Sequence, residues 1–232
     1  MADISLYISP EYNPHSLIRD WGFFVEQQRP DIYASMSGPL SPLRQILAES
    51  ITTMAGGELG ATQLGPTPTT SGKVTTDFVV PDARTMCQEV GLDVLTLALL
   101  ADVPLHRPLQ ITQNALIGHW RWLRLVWRTL ADAKPATRCV DIMPATPEST
   151  FATLYPALVA GRSNVAIANL RTMFQNLTAH YETQSVQNGL PKSQDALHSF
   201  LANLTLFCPF IGYDLLCRHG LMKAPWIKGS IE

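Results

Sequence analysis

Charge is what this sequence has least of. Asp, Glu, Lys and Arg make up 16% of its 232 residues, against roughly 25% in ordinary soluble domains. With 46% hydrophobic residues, the chain can bury a substantial core, or leave apolar surface for copies of itself to cover. The net charge of −2 excludes a globally basic nucleic-acid binder. Cysteine is sparse too: Cys87, Cys139, Cys208 and Cys217 are scattered without a CxxC pair, which excludes a disulfide framework and points to a reducing compartment. Cys208, Cys217 and His219 share residue types with metal ligands, but not the spacing of a closed zinc site. There is no P-loop, no GxGxxG after a strand, no HExxH and no GxSxG. Gly72-Lys73 lacks the first glycine of a phosphate loop. The six histidines, His119 among them, stand at no helical offset from a carboxylate that suggests a triad, and Glu89 with Asp93 reads as a solvated i, i+4 pair. These absences leave an all-α enzyme with a small-molecule pocket as the last of three readings, and imply no cofactor and no metal.

Targeting signals are equally absent. The opening "MADISLYISPEYNPHS" has no basic region followed by an apolar one, so no secretory signal is expected. The expected location is cytoplasmic, or the virion if the chain is viral. The longest uncharged run, 196–213, has a length of eighteen residues, close to that of a bilayer span. Ser199, Asn203, Thr205 and Pro209 interrupt it, so a buried helix broken near Pro209 is expected and a membrane span is not.

The pattern that is present is mainly α. Residues 1–80 read as an irregular N-terminal region, with "LYIS" as a short strand and 16–28 as a short helix after Pro14. A further helix has Ser41 as its N-cap and Gly56-Gly57 at its stop. "GGELGATQLGPTPTTSG" has the composition of a loop or arm. "KVTTDFVV" (73–80) alternates as one half of a small β-hairpin. A helical core is expected over 81–220: one helix from Pro81-Asp82 to Val103, and others over about 110–133, 146–161, 162–183 and 193–218. Residues 221–232 read as a C-terminal arm.

Most functional information lies in "GHWRWLRLVWR", Gly118 to Arg128. Residues 1–80 hold Arg19, Arg29, Arg44 and Lys73 against eight acidic groups, whereas 105–138 holds six basic groups against Asp132 alone. At about 100° per residue, Arg121, Arg124 and Arg128 fall within roughly 60° of arc, and Gln110 and Asn114 extend the stripe. Leu116, Leu123, Val126 and Leu130 take the opposite side. Trp120 and Trp127 border it, and Trp122 lies on the far shoulder. Arg121 and Arg128 stand roughly 10 Å apart along the axis, a spacing that bridges about two phosphates of an extended strand. Indoles at the border offer stacking to bases. The helix over 162–183 adds Arg162 and Arg171, with Asn164 and Gln175 on a face otherwise free of charge.

These features are expected to make a self-assembling structural protein that packages single-stranded nucleic acid, in the manner of a coat or nucleocapsid protein. Its partners would be itself and single-stranded RNA. The nucleic-acid contacts fall to Arg121, Arg124, Arg128, Arg162, Arg171, Asn114, Trp120 and Trp127. Repetition along a polymer multiplies weak sites. The alternative is an α-helical interaction or scaffold module whose arginine stripe docks an acidic partner.

Overall fold

The computed structural model describes residues 11–58, 70–79, 82–131, 151–184 and 191–222. Ten helices and two short strands order these residues: α1 (Pro14–Gln28), α2 (Pro30–Ser35), α3 (Leu40–Glu58), β1 (Val74–Thr76), α4 (Ala83–Val90), α5 (Leu92–Leu100), β2 (Leu109–Ile111), α6 (Gln113–Leu130), α7 (Tyr155–Val159), α8 (Ser163–Gln184), α9 (Pro191–Phe207) and α10 (Pro209–Arg218). The fold is mainly α, and no helix among the described residues is long and apolar enough to cross a membrane.

α5 is the centre. Its sequence, "LDVLTLALL", is apolar on every side, and all of its residues are buried, as a helix surrounded by others must be. α3, α4, α6, α8, α9 and α10 pack around it. α1 lies on α10, where Trp21 stacks on Tyr213 and its indole N–H donates to Asp214. α1 to α3 therefore belong to the same core, and the N-terminal third is more helical than its composition predicts. The arm segments 1–10, 59–69 and 223–232, with the "LYIS" strand, lie outside the described residues, as does the start of the helix expected over 146–161.

Side-chain caps begin several helices. Asn13 accepts from the backbone N–H groups of His15 and Ser16 at the head of α1, where Pro14 opens the first turn. Asp82 caps α4 through Thr85, and Thr112 caps α6 through Ala115. Ser41, expected as the cap of α3, lies inside that helix instead, and its hydroxyl accepts from the Val74 N–H.

Two expectations are corrected. The helix foreseen from Pro81 to Val103 is two, because Gly91 adopts φ 83°, a left-handed conformation that glycine enters without strain. A Cβ there would stand 2.9 Å from Pro14 Cβ. The break expected near Pro209 falls at Cys208 and divides the run over 193–218, since Pro209 lacks the N–H needed to continue the helix. Finally, β1 is not half of a hairpin. It pairs in parallel with β2, Val74 beside Leu109 and Ile111 beside Thr76, because α4 and α5 carry the chain back between the strands and return it in the same direction. Gln110, placed by the sequence on the arginine stripe, is in β2.

Buried charge is used as bracing. Arg44 donates to the carbonyls of Leu99, Val103, Pro104 and Arg107, which fixes the turn after α5. Arg29 donates to Thr205 and Leu206 at the end of α9. The Asp93 carboxylate reaches out of α5 to accept from Phe210 and Ile211 in the first turn of α10. Each is a helix end whose free backbone groups are satisfied by a distant side chain.

Candidate interface on helix α6

α6 rests on α5 and α10 through Leu116, Leu123, Val126, Trp127 and Leu130, all buried. Its solvent side carries Asn114, Ile117, Arg121, Leu125 and Arg128, all exposed. Steps of three and four residues align these five along one stripe. Ile117 is 45% exposed and Leu125 53%. The outer face is thus a mixed one, with Leu125 flanked by Arg121 one turn before it and Arg128 one turn after.

Arg124 departs from the stripe. It is half-buried, its guanidinium 5.4 Å from the Trp120 ring centre and 3.5 Å from a Glu11 carboxylate oxygen. The indoles are turned inward. Trp127 is 2% exposed, with Tyr12 on one side and the Arg218 guanidinium 4.7 Å from its ring centre. Trp120 is half-buried beside Tyr12. Trp122 meets Phe174 edge to face and carries Arg171 at 5.4 Å. Trp127, enclosed in this way, offers no free face to a base.

Arg171 is drawn from α8 against α6, where its Nη2 donates to His119 Nδ1 at 3.0 Å. A guanidinium only donates, so Nδ1 is unprotonated and the imidazole proton sits on Nε2. Burial, and Arg171 after it, pull the His119 pKa down to about 4. Arg162 stands exposed just before α8, nine positions before Arg171 and about 13 Å away along the helix axis. The predicted site residues therefore separate into an outward group (Asn114, Arg121, Arg128), an inward group (Arg124, Arg171, Trp120, Trp127) and a distant Arg162. Ile117 and Leu125 complete the outward group and were not anticipated. Their spacing from Arg121 and Arg128 was the available signal.

Beside the stripe lies a groove of about 690 Å³ between α1, α4, α5 and α6. Leu116, Ile117, Trp120, Val90, Val94 and the Tyr12 ring give it apolar walls, and Glu11, His15, Glu89 and the Tyr12 phenol are its titratable groups. Burial raises the Tyr12 phenol well above its ordinary range. Among the described residues, no three His, Cys, Asp or Glu side chains gather where a metal ion could be held.

No family model matches the chain. Part of it is similar to leucine–tRNA ligases: 29% identical over 157 residues to that of Streptomyces griseus, and 28% identical over 150 residues to that of Streptomyces avermitilis. In both cases the match covers 64% of this chain and 15% of the ligase. A likeness to so small a part of a relative, at this identity, carries no reaction across to this chain.

Proposed function

We propose that this chain is an α-helical interaction module whose α6 stripe docks an acidic, amphipathic protein surface. The observation that carries this reading is the exposed triplet Arg121–Leu125–Arg128, an aliphatic side chain between two guanidinium groups. A leucine half in water is best covered by another apolar side chain, at roughly 25 cal/mol per Å² removed from solvent. Arginines on either side favour carboxylates at the rim of that contact, in planar, paired geometry.

A track for single-stranded nucleic acid, with the chain as its packaging protein, is the second reading. It is favoured by Arg121 and Arg128 standing exposed about 10 Å apart. The enclosure of Trp127 and the engagement of Arg124 with Trp120 and Glu11 weigh against it, because they remove the stacking partners and one of the three cations.

Leu125 separates the two. Binding of a helical peptide that presents leucines flanked by glutamates, and of a single-stranded oligonucleotide, is measured by fluorescence anisotropy. Docking predicts that Leu125→Ser weakens peptide binding about tenfold, the scale of a central apolar contact, and that Arg121→Ala with Arg128→Ala weakens it further. A polynucleotide track predicts that Leu125→Ser has no effect, while the double arginine variant lowers oligonucleotide affinity and flattens its salt dependence. Wild-type protein that binds the oligonucleotide and ignores the peptide overturns the docking reading.

A further inference from the structure

We infer that the partner of the α6 stripe is a second copy of this chain, which presents the outer edge of α1, Asp20–Phe23–Glu26. This inference rests on the docking reading above and names its occupant. Phe23 is 77% exposed, and an aromatic ring in water at the middle of a helix has no part in the core that α1 builds with Trp21 and Val25. Of the four large hydrophobic side chains exposed among the described residues, two, Ile117 and Leu125, are on the α6 stripe and one is Phe23.

The two edges match in order and in spacing. On α1 Asp20 stands three positions before the apolar residue and Glu26 three positions after it, with exposed Arg19, paired to Asp20, one turn before it. On α6 an arginine stands four positions before Leu125 and another three positions after it. At 1.5 Å per residue, the acidic groups span about 9 Å of axis and the arginines about 10.5 Å. Phe23 laid on Leu125 therefore brings Asp20 and Glu26 near Arg121 and Arg128 together. Asp20 is bonded in the free chain to Arg19, at 2.7 and 3.1 Å. With Arg19 63% exposed, this pair contributes little to stability, and the Asp20 carboxylate, its side chain 25% exposed, would exchange Arg19 for an arginine of α6.

Two α6 stripes laid on each other set arginine against arginine, which opposes a symmetric dimer through α6 alone. Both apolar residues are exposed within one chain, so neither covers the other there. The contact is α1 of one copy on α6 of another: reciprocated about a two-fold axis it closes a dimer, and unreciprocated it runs head to tail. The head-to-tail form leaves one free edge at each end, and it repeats into a ring or an open filament. The scarcity of surface charge favours such a chain of copies, since little repulsion accumulates along it.

Sedimentation velocity of the full chain tests this, with far-UV circular dichroism to establish that each variant is folded. Phe23→Ser disables one edge, and Leu125→Ser with Arg121→Glu disables the other. Each variant alone is expected to self-associate at least about tenfold more weakly than wild type. Mixed in equal amounts they should form a dimer and stop, because the mixture contains a single type of intact contact and each partner caps the other. Reversing the charges in one chain (Asp20→Arg and Glu26→Arg with Arg121→Glu and Arg128→Glu) should restore assembly. If Phe23→Ser assembles like wild type while Leu125→Ser still loses the acidic peptide, the second-copy assignment fails and the docking reading stands. If Leu125→Ser changes neither assembly nor peptide binding, the docking reading itself fails. Wild-type protein that is monomeric at every concentration overturns the proposal, and assembly that disappears on nuclease treatment assigns the contact to nucleic acid instead.

Discussion

At the scale of single residues, Asp93 and His119 make opposite demands on pH. Asp93 accepts two backbone N–H groups, from Phe210 and Ile211, with Arg29 in its electrostatic surroundings, yet burial dominates and raises its pKa to about 7. The fold thus favours the protonated acid, and that contribution is lost as pH rises from about 4 through 7. His119, held near 4 by burial and Arg171, is favoured neutral, so its contribution is lost as pH falls through 6.5 toward 4. The two slopes oppose each other over the same window and flatten the wild-type profile. Asp93→Asn should leave a melting temperature that rises from pH 4.5 to 6.5, by roughly 5 °C. His119→Gln should leave one that falls across that range. Calorimetric profiles of both variants that parallel wild type would refute this assignment. Neither environment was readable in the sequence, where Asp93 passes as half of a solvated pair with Glu89. Its burial comes from helices on every side of α5, and no local pattern announces them.

Among the helices, α9 and α10 meet at close range. Gly212 approaches Thr205 so closely that a Cβ would stand 2.7 Å from its Cγ2 and 2.9 Å from its Cα and N. Backbone atoms cannot rotate away, so Gly212→Ala should cost about 1–3 kcal/mol and lower the melting temperature by roughly 3–10 °C. Gly22→Ala on α1, where the new methyl meets only Ile18 Cγ2 at 3.9 Å, is the control, expected to be neutral or stabilising through helix propensity. A Gly212→Ala protein as stable as the Gly22→Ala protein would mean that the two helices do not meet as described.

The elements also divide by how legible they were. α1, α4, α6 and α8 announce themselves through apolar period, and α4 also through Asp82 at its start. The break at Gly91 was hidden because apolar residues continue across it. The β1–β2 pairing was hidden because its strands are separated by two helices. On α6, periodicity identified the arginine side, but deciding which of Arg124 and Leu125 faces water requires knowing where α5, α10 and Glu11 lie. Those are long-range facts, and they place Leu125 and Ile117 beside Arg121 and Arg128 on the outer face.

At the scale of the whole molecule, the surface of interest is the outer face of α6. The core built around α5 leaves α6 with one face packed and the other carrying Arg121, Leu125 and Arg128 in water. Under the proposed contact, α1 of one copy would cover this face of another. Hydroxyl-radical footprinting read at Leu125, Ile117 and Phe23, as wild-type protein is concentrated from the dilute monomer, tests this most directly. The account predicts that oxidation at Leu125 and Phe23 falls together, in step with the appearance of larger species, while exposed Val79 is oxidised equally throughout. Leu125 oxidised to the same extent at every concentration, in a sample that sedimentation finds assembled, would contradict it.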